Sequence, residues 1–173
     1  MEKWYKKVNM DAKAAYYLVL SEKVLDKLAG YDWFSTVRKS MDMCWEWTEN
    51  KKGDSYLMYL ELADEDKGFY IIGLEYDDFE EGSQEEFIYW CLFLAVSYTV
   101  KQALLFEKRE HEAPQEIQPI DDEYMEKAFM QNIRKVNGCQ EEWFKRLKEY
   151  LLKNHPAGSD KENQREELLR LIV

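Results

Sequence analysis

The residues able to do chemistry in this 173-residue chain are mostly carboxylates, and they are unevenly spread. Residues 61–86 hold eleven acids and one base, Lys67, and residues 110–126 hold seven acids and no Lys or Arg, in a chain whose formal net charge is −11. The rest of the chain is therefore mildly basic. The densest run is Glu75, Tyr76, Asp77, Asp78, Phe79, Glu80 and Glu81, followed by Glu85 and Glu86. Carboxylates grouped around aromatic anchors can steer a basic protein partner into place and hold its Arg or Lys side chains by charge-assisted hydrogen bonds. The same run also reads as a solvated loop whose acids favour a helix N-terminus while its aromatics turn into the core. The DxDxDG spacing of a calcium loop is missing. So many acids also prevent the sequence from selecting two as a glycosidase pair.

Other reactive groups are sparse. His111 and His155 fall in predicted loops, with no second His or Cys at ligand spacing, so no zinc site is expected. Cys44, Cys91 and Cys139 are far apart and form no CxxC pair, which points to reduced core thiols. Neither a GxGxxG nor a GxxxxGK[ST] phosphate loop occurs, and GxSxG is absent. The expectation is a protein with no catalytic residues, no cofactor and no metal.

Net charge narrows the partners. Nucleic acids and anionic membranes repel an acidic surface, so neither is an expected partner, and a basic protein is. The longest uncharged run, Phe87–Val100, has 14 residues, short of the roughly 20 that a membrane span needs. Met1–Lys7 lacks the apolar stretch and cleavage site of a signal peptide, so a cytoplasmic location is expected.

The elements that position these residues are helical, because apolar spacing near 3.6 dominates. A first helix is expected from about Asn9 to Ala29, with Ala14, Tyr17, Leu18, Leu25 and Leu28 on one stripe. A second, capped by Asp32, should bury Val37, Met41, Cys44 and Trp45, with Trp47 off the stripe as a possible interface anchor. Asp54 or Ser55 should open a short helix burying Tyr56, Tyr59, Leu60 and Ala63. Residues 68–76 read as a connector. Ser83 to Glu86 spells a capping box ahead of a helix over Phe87–Glu107, apolar all round in its first half and hence central. Asp121 or Asp122 opens the next, and Trp143 to Leu151 mark another. Ser159 to Glu162 is a second capping box before a tail that docks late or frays. The fold class expected is all-α: a single domain over residues 1–173, a bundle of about six to seven helices around a central apolar helix.

The run from Ala14 to Lys23 and the stretch Cys44-Trp-Glu-Trp-Thr-Glu49, on an N-terminal helical hairpin followed by a Gly-containing turn and a Tyr/Leu-rich helix, resemble the all-helical immunity proteins of bacterial polymorphic toxin systems. That resemblance implies inhibition by binding a cognate toxin, with no chemistry of its own, and it carries over no defined functional residues. The expected partner is then a cognate protein toxin, basic in character, met through Glu75, Tyr76, Asp77, Asp78, Phe79, Glu80 and Glu81, with residues 110–123 adding to the acidic face. The alternative is an acidic interaction or regulatory adaptor module unrelated to toxins.

Overall fold

A helix that is apolar on every side can exist in water only if other elements enclose it. In the computed structural model, which describes residues 2–64, 68–69 and 79–173, that helix is paired with a second of the same kind. The first, α1 (Met10–Leu25), has its N-cap at Asn9, whose side chain accepts from the Ala12 amide at 2.9 Å. Its buried residues include Asp11 and Ser21 and everything from Ala14 to Leu20, far more than the single stripe expected from spacing. A 3-10 turn, Asp26–Leu28, finishes it. α2 (Phe34–Asn50) follows and α3 (Ser55–Ala63) after it. α4 (Gln84–Phe106) is buried almost continuously from Ile88 to Leu104. It is long and apolar enough to cross a membrane, but 83% of that apolar window is buried inside the bundle. α5 runs through Asp122–Tyr124, a π-type stretch at Met125–Phe129, and Met130–Arg134. α6 (Glu141–Asn154) is amphipathic and buries Phe144, Leu147 and Leu151. α7 (Arg165–Arg170) ends the chain. The all-α bundle is as expected, and α1 and α4 share its centre.

Several boundaries differ from the sequence reading. Asp32 is not a cap: α2 starts after Trp33, which makes no side-chain cap bond, because Trp33 is held instead by stacking on Tyr31 at 4.7 Å. α3 turns its Met58 and Leu62 inward, and Tyr56, Leu57 and Leu60 stay exposed. The Asp54 cap holds, accepting from the Tyr56 and Leu57 amides. Ser159 accepts from the Lys161 amide in a local turn, so the second capping box opens no helix. Of the expected connector 68–76, only Gly68 and Phe69 are among the described residues. Phe69 is fully buried against Tyr89 of α4, whose hydroxyl donates to its carbonyl at 3.0 Å.

Polar groups sort the elements that the apolar core alone would leave free to slide. Glu22 of α1, its side chain only 10% exposed, accepts from Arg38 and from the Trp45 indole of α2 at 2.9 Å, and from Arg165 of α7 at 3.0 Å. Arg165 also reaches Asp42 at 3.0 Å and covers the Trp45 ring. Asp11 pairs with Lys51 at 3.3 Å and accepts from Asn163 at 2.9 Å. Lys51 is the left-handed residue that ends α2 (φ 55°), and its ammonium lies over the Phe106 ring. The C-terminal segment is thus tied to α1 and α2, with Asn163, Leu168 and Ile172 buried. It is tied to the N-terminus as well: the His155 carbonyl accepts from the Asn9 amide at 3.1 Å, and the Lys7 carbonyl accepts from the Ala157 amide at 2.8 Å.

Two predictions follow from these ties. Glu22→Ala removes the acceptor of the Trp45 indole N–H and one of the two carboxylates held by each of Arg38 and Arg165, Asp42 remaining to both, and should lower unfolding free energy by about 1–3 kcal/mol in urea titrations. His155 is buried, and burial pushes its imidazole below the usual value of 6.5. The unfolded chain therefore binds that proton more readily than the folded one, so this contribution is intact above about pH 6.5 and is lost as pH falls below it. Comparing unfolding midpoints at pH 7.5 and 5.5, His155→Gln should lose less than the parent protein.

Candidate functional site

The acidic run enters the structure at Phe79, whose ring packs on Tyr31 at 5.6 Å, Trp33 at 5.8 Å and Tyr89 at 5.3 Å. Phe79 is therefore a packing residue that seats the loop, with its edge at the surface. The chain then turns: the Glu80 carbonyl accepts from the Ser83 amide at 3.0 Å, and Gly82 adopts the left-handed conformation (φ 77°) that glycine takes without strain. Ser83 caps α4, accepting from the Glu86 amide at 3.2 Å. Glu86 reaches back to the Gly82 amide at 3.3 Å, one residue earlier than a standard capping box. This geometry leaves Glu80 and Glu81 exposed and in no ion pair among the described residues. Glu75, Tyr76, Asp77 and Asp78 lie outside the described residues.

The second acidic segment is not one face. Asp121 caps α5, accepting from the Tyr124 amide at 2.8 Å. Asp122 turns inward to the Tyr98 hydroxyl and to Lys13 at 3.1 Å. Glu126, on the π-type turn, accepts from the Trp4 indole and from the Tyr17 hydroxyl. Burial, reinforced by those two carboxylates, pushes the phenols of Tyr17 and Tyr98 well above their usual value, so they remain donors. Glu112 pairs with Arg109, and Glu123 with Lys127 at 3.5 Å. Glu110 and Glu116 are left exposed and in no ion pair among the described residues. Five of the seven acids in this segment are thus engaged in caps, hydrogen bonds or ion pairs.

A groove of about 440 Å³ joins what remains of the two segments. One wall is the stripe Phe87, Trp90 and Leu94 of α4, and the other is Tyr124, Ala128 and Asn132 of α5. Pro119 and Ile120 of the connecting loop line it too, with Glu86 and Glu116 contributed by the first and second acidic segments. Trp90 is 39% exposed and Tyr124 42%, which with Tyr56 and Phe106 makes them the aromatics most open to solvent among the described residues, and here the two share one groove. Gln84 fixes the two helices in register, donating to the Lys135 carbonyl at 2.9 Å and accepting from the Asn137 amide at 2.7 Å. The sequence reading makes the whole first half of this helix central, Trp90 with it, and does not single out Tyr124. A signal was present: a helix apolar all round, starting beside a run of acids, turns some apolar residues outward near that end, and Phe87, Trp90 and Leu94 recur at helical spacing. Trp47, the expected anchor, is fully buried against Phe106 and serves no interface.

The remaining reactive side chains are quiet. Burial pushes the Cys44 thiol up to about 12 and raises Cys91 and Cys139, so none is poised as a thiolate. His111 sits on an exposed 3-10 turn. Among the described residues, no group of three or more His, Cys, Asp or Glu side chains is placed to hold a metal ion.

The sequence model of one protein family, described as immunity protein Imm6, matches residues 12–136. No curated protein and no solved structure matches the chain. The matched span takes in α1 to α5, and with them the acid-bearing turn and both walls of the groove.

The two kinds of residue in the turn should separate on substitution. Phe79→Ala removes contacts with three aromatic rings and should destabilise the fold by about 1–3 kcal/mol, as half-buried aromatic truncations do. Glu80→Lys and Glu81→Lys should stay within about 0.5 kcal/mol of the parent in the same urea titration.

Proposed function

Because the chain belongs to the Imm6 immunity protein family, we propose that it protects its cell by binding a cognate protein toxin and blocking it, without chemistry of its own and in the cytoplasm. The observation that carries this reading is the family match across α1 to α5. The acidic turn supports the finer statement that the toxin is met through a negative surface. Glu80 and Glu81 are exposed, no base neutralises them among the described residues, and the neighbouring Asp77 and Asp78 share their sign. Such a patch raises the encounter rate with a positive surface and disfavours an anionic one. A toxin active site that receives phosphates is positive for that purpose, and carboxylates fit the same electrostatic requirement. The arginines elsewhere are engaged at home, among them Arg38 and Arg165 with Glu22, and Arg134 with Glu141.

The test begins with the toxin domain encoded beside this chain. Co-expression should restore growth to cells making that domain, and the two proteins should co-elute from a sizing column. Changing Asp77, Asp78, Glu80 and Glu81 together to Lys should slow association by about 10- to 100-fold at low salt and leave thermal unfolding nearly unchanged. Association at the parent rate would remove the acidic turn from the interface. Failure to protect against, or bind, the co-encoded toxin would remove the immunity reading.

A further inference from the structure

The groove between α4 and α5 carries information about what sits in it. Its walls are aromatic, and its two acids, Glu86 and Glu116, are in no ion pair among the described residues. It already shows the interaction such a lining favours: Lys135, which also lines it, places its ammonium 5.2 Å from the centre of the Phe87 ring. The Trp90 indole is held edge-on by Tyr89 at 5.3 Å and Phe93 at 5.6 Å, so its orientation is set before any partner arrives. A planar cation stacks on aromatic faces better than an ammonium, and its fork of N–H donors matches a carboxylate. The larger hollow between α2 and α3, about 610 Å³, lacks this character: its walls hold Leu57, Leu60 and Met43, and its Lys39 and Glu61 pair with each other at 2.6 Å.

We infer that the α4/α5 groove is the seat of an arginine-bearing loop of the protein partner, the guanidinium stacking on Trp90 or Tyr124 and donating to Glu116 or Glu86. The partner's identity as a toxin rests on the reading above, whereas the chemistry of the groove does not. Charge complementarity and rigid, half-exposed Trp and Tyr side chains are what concentrate binding energy at protein interfaces.

The groove can be tested on the intact chain without a toxin. In an NMR titration of the labelled protein, acetyl-Gly-Arg-Gly-amide should shift the Trp90 indole N–H resonance saturably. The Lys peptide should bind at least ~5-fold more weakly, as a non-planar cation does, and the uncharged citrulline peptide should leave the resonance in place. Glu116→Gln, at an exposed side chain, together with Glu86→Gln, whose amide oxygen can still accept from the Gly82 amide at the start of α4, should weaken the Arg peptide by about 10-fold, in keeping with loss of charge-assisted hydrogen bonds. Shifts confined to other acidic residues, or equal responses to the Arg and citrulline peptides, would overturn the inference. Against the co-encoded toxin, Trp90→Ala should weaken the complex by at least ~30-fold, as hot-spot residues do, while Leu57→Ser with Leu60→Ser should not. A complex indifferent to Trp90→Ala overturns the groove as the seat and leaves the immunity reading standing. A parent protein that binds no toxin but passes the peptide titration fails the immunity reading alone.

Discussion

From Ile88 to Leu104 the helix α4 has almost no side that tolerates water, and the rest of the molecule is arranged around that constraint. Each large apolar side chain removed from water contributes about 1.5–3 kcal/mol, so leaving any face of α4 bare would be expensive. α1 supplies one side and is itself buried nearly all round, because Ala12, Ala14 and Ala15 let its backbone approach closely while Tyr16 and Tyr17, both fully buried, pack on Trp4, Tyr98 and Phe129. α2, α3 and α5 complete the enclosure. Both ends of α4 leave an aromatic open to solvent, Phe106 at the last residue and Trp90, beside the partly buried Phe87, near the first. Of the two, the N-terminal end borders the acid-edged groove.

Apolar enclosure does not specify register, and the charged groups do. Glu22 gathers Arg38, Trp45 and Arg165 from two other elements, and Asp11 gathers Lys51 and Asn163. Both acids sit on α1, so the helix that shares the core also anchors the C-terminal segment. Partly buried ion pairs of this kind add little net stability over apolar packing, but removing one partner is costly, which makes them effective at selecting one arrangement. The carboxylates of Asp122 and Glu126 act likewise on Tyr98, Tyr17 and Trp4.

The sequence made some of this legible and hid the rest for identifiable reasons. Helix positions at Asn9, Asp54, Ser83 and Asp121 were readable because a side chain that caps a helix does so locally. Asp32 and Ser159 carry the same signal without the same outcome, since Trp33 stacking on Tyr31 fixes one site and the Asn163 and Arg165 contacts to α1 and α2 fix the other. The inward face of α3 was misjudged because Tyr56, Leu57 and Leu60 outweigh Met58 and Leu62 in apolarity, and burial depends on the neighbour presented. Charge arithmetic located the acidic segments but not their direction: Asp122 and Glu126 point at tyrosines, whereas Glu80, Glu81 and Glu116 face water. Within the acidic turn, Phe79 proved to hold the loop to the core. The groove itself required tertiary structure, because its two helical walls bring together residues at least thirty positions apart in sequence, such as Leu94 and Tyr124.

The central claim is that an enclosed helical core presents one acid-edged aromatic face, at the start of α4 and α5, to a protein that this immunity-family member restrains. Hydrogen–deuterium exchange of the chain, alone and in complex with its co-encoded toxin domain, addresses that claim directly. The account predicts added protection at residues 79–87 and 116–124, with α6 and α7 unchanged. Protection confined to α6 and α7, with those two segments exchanging as in the free protein, would contradict it.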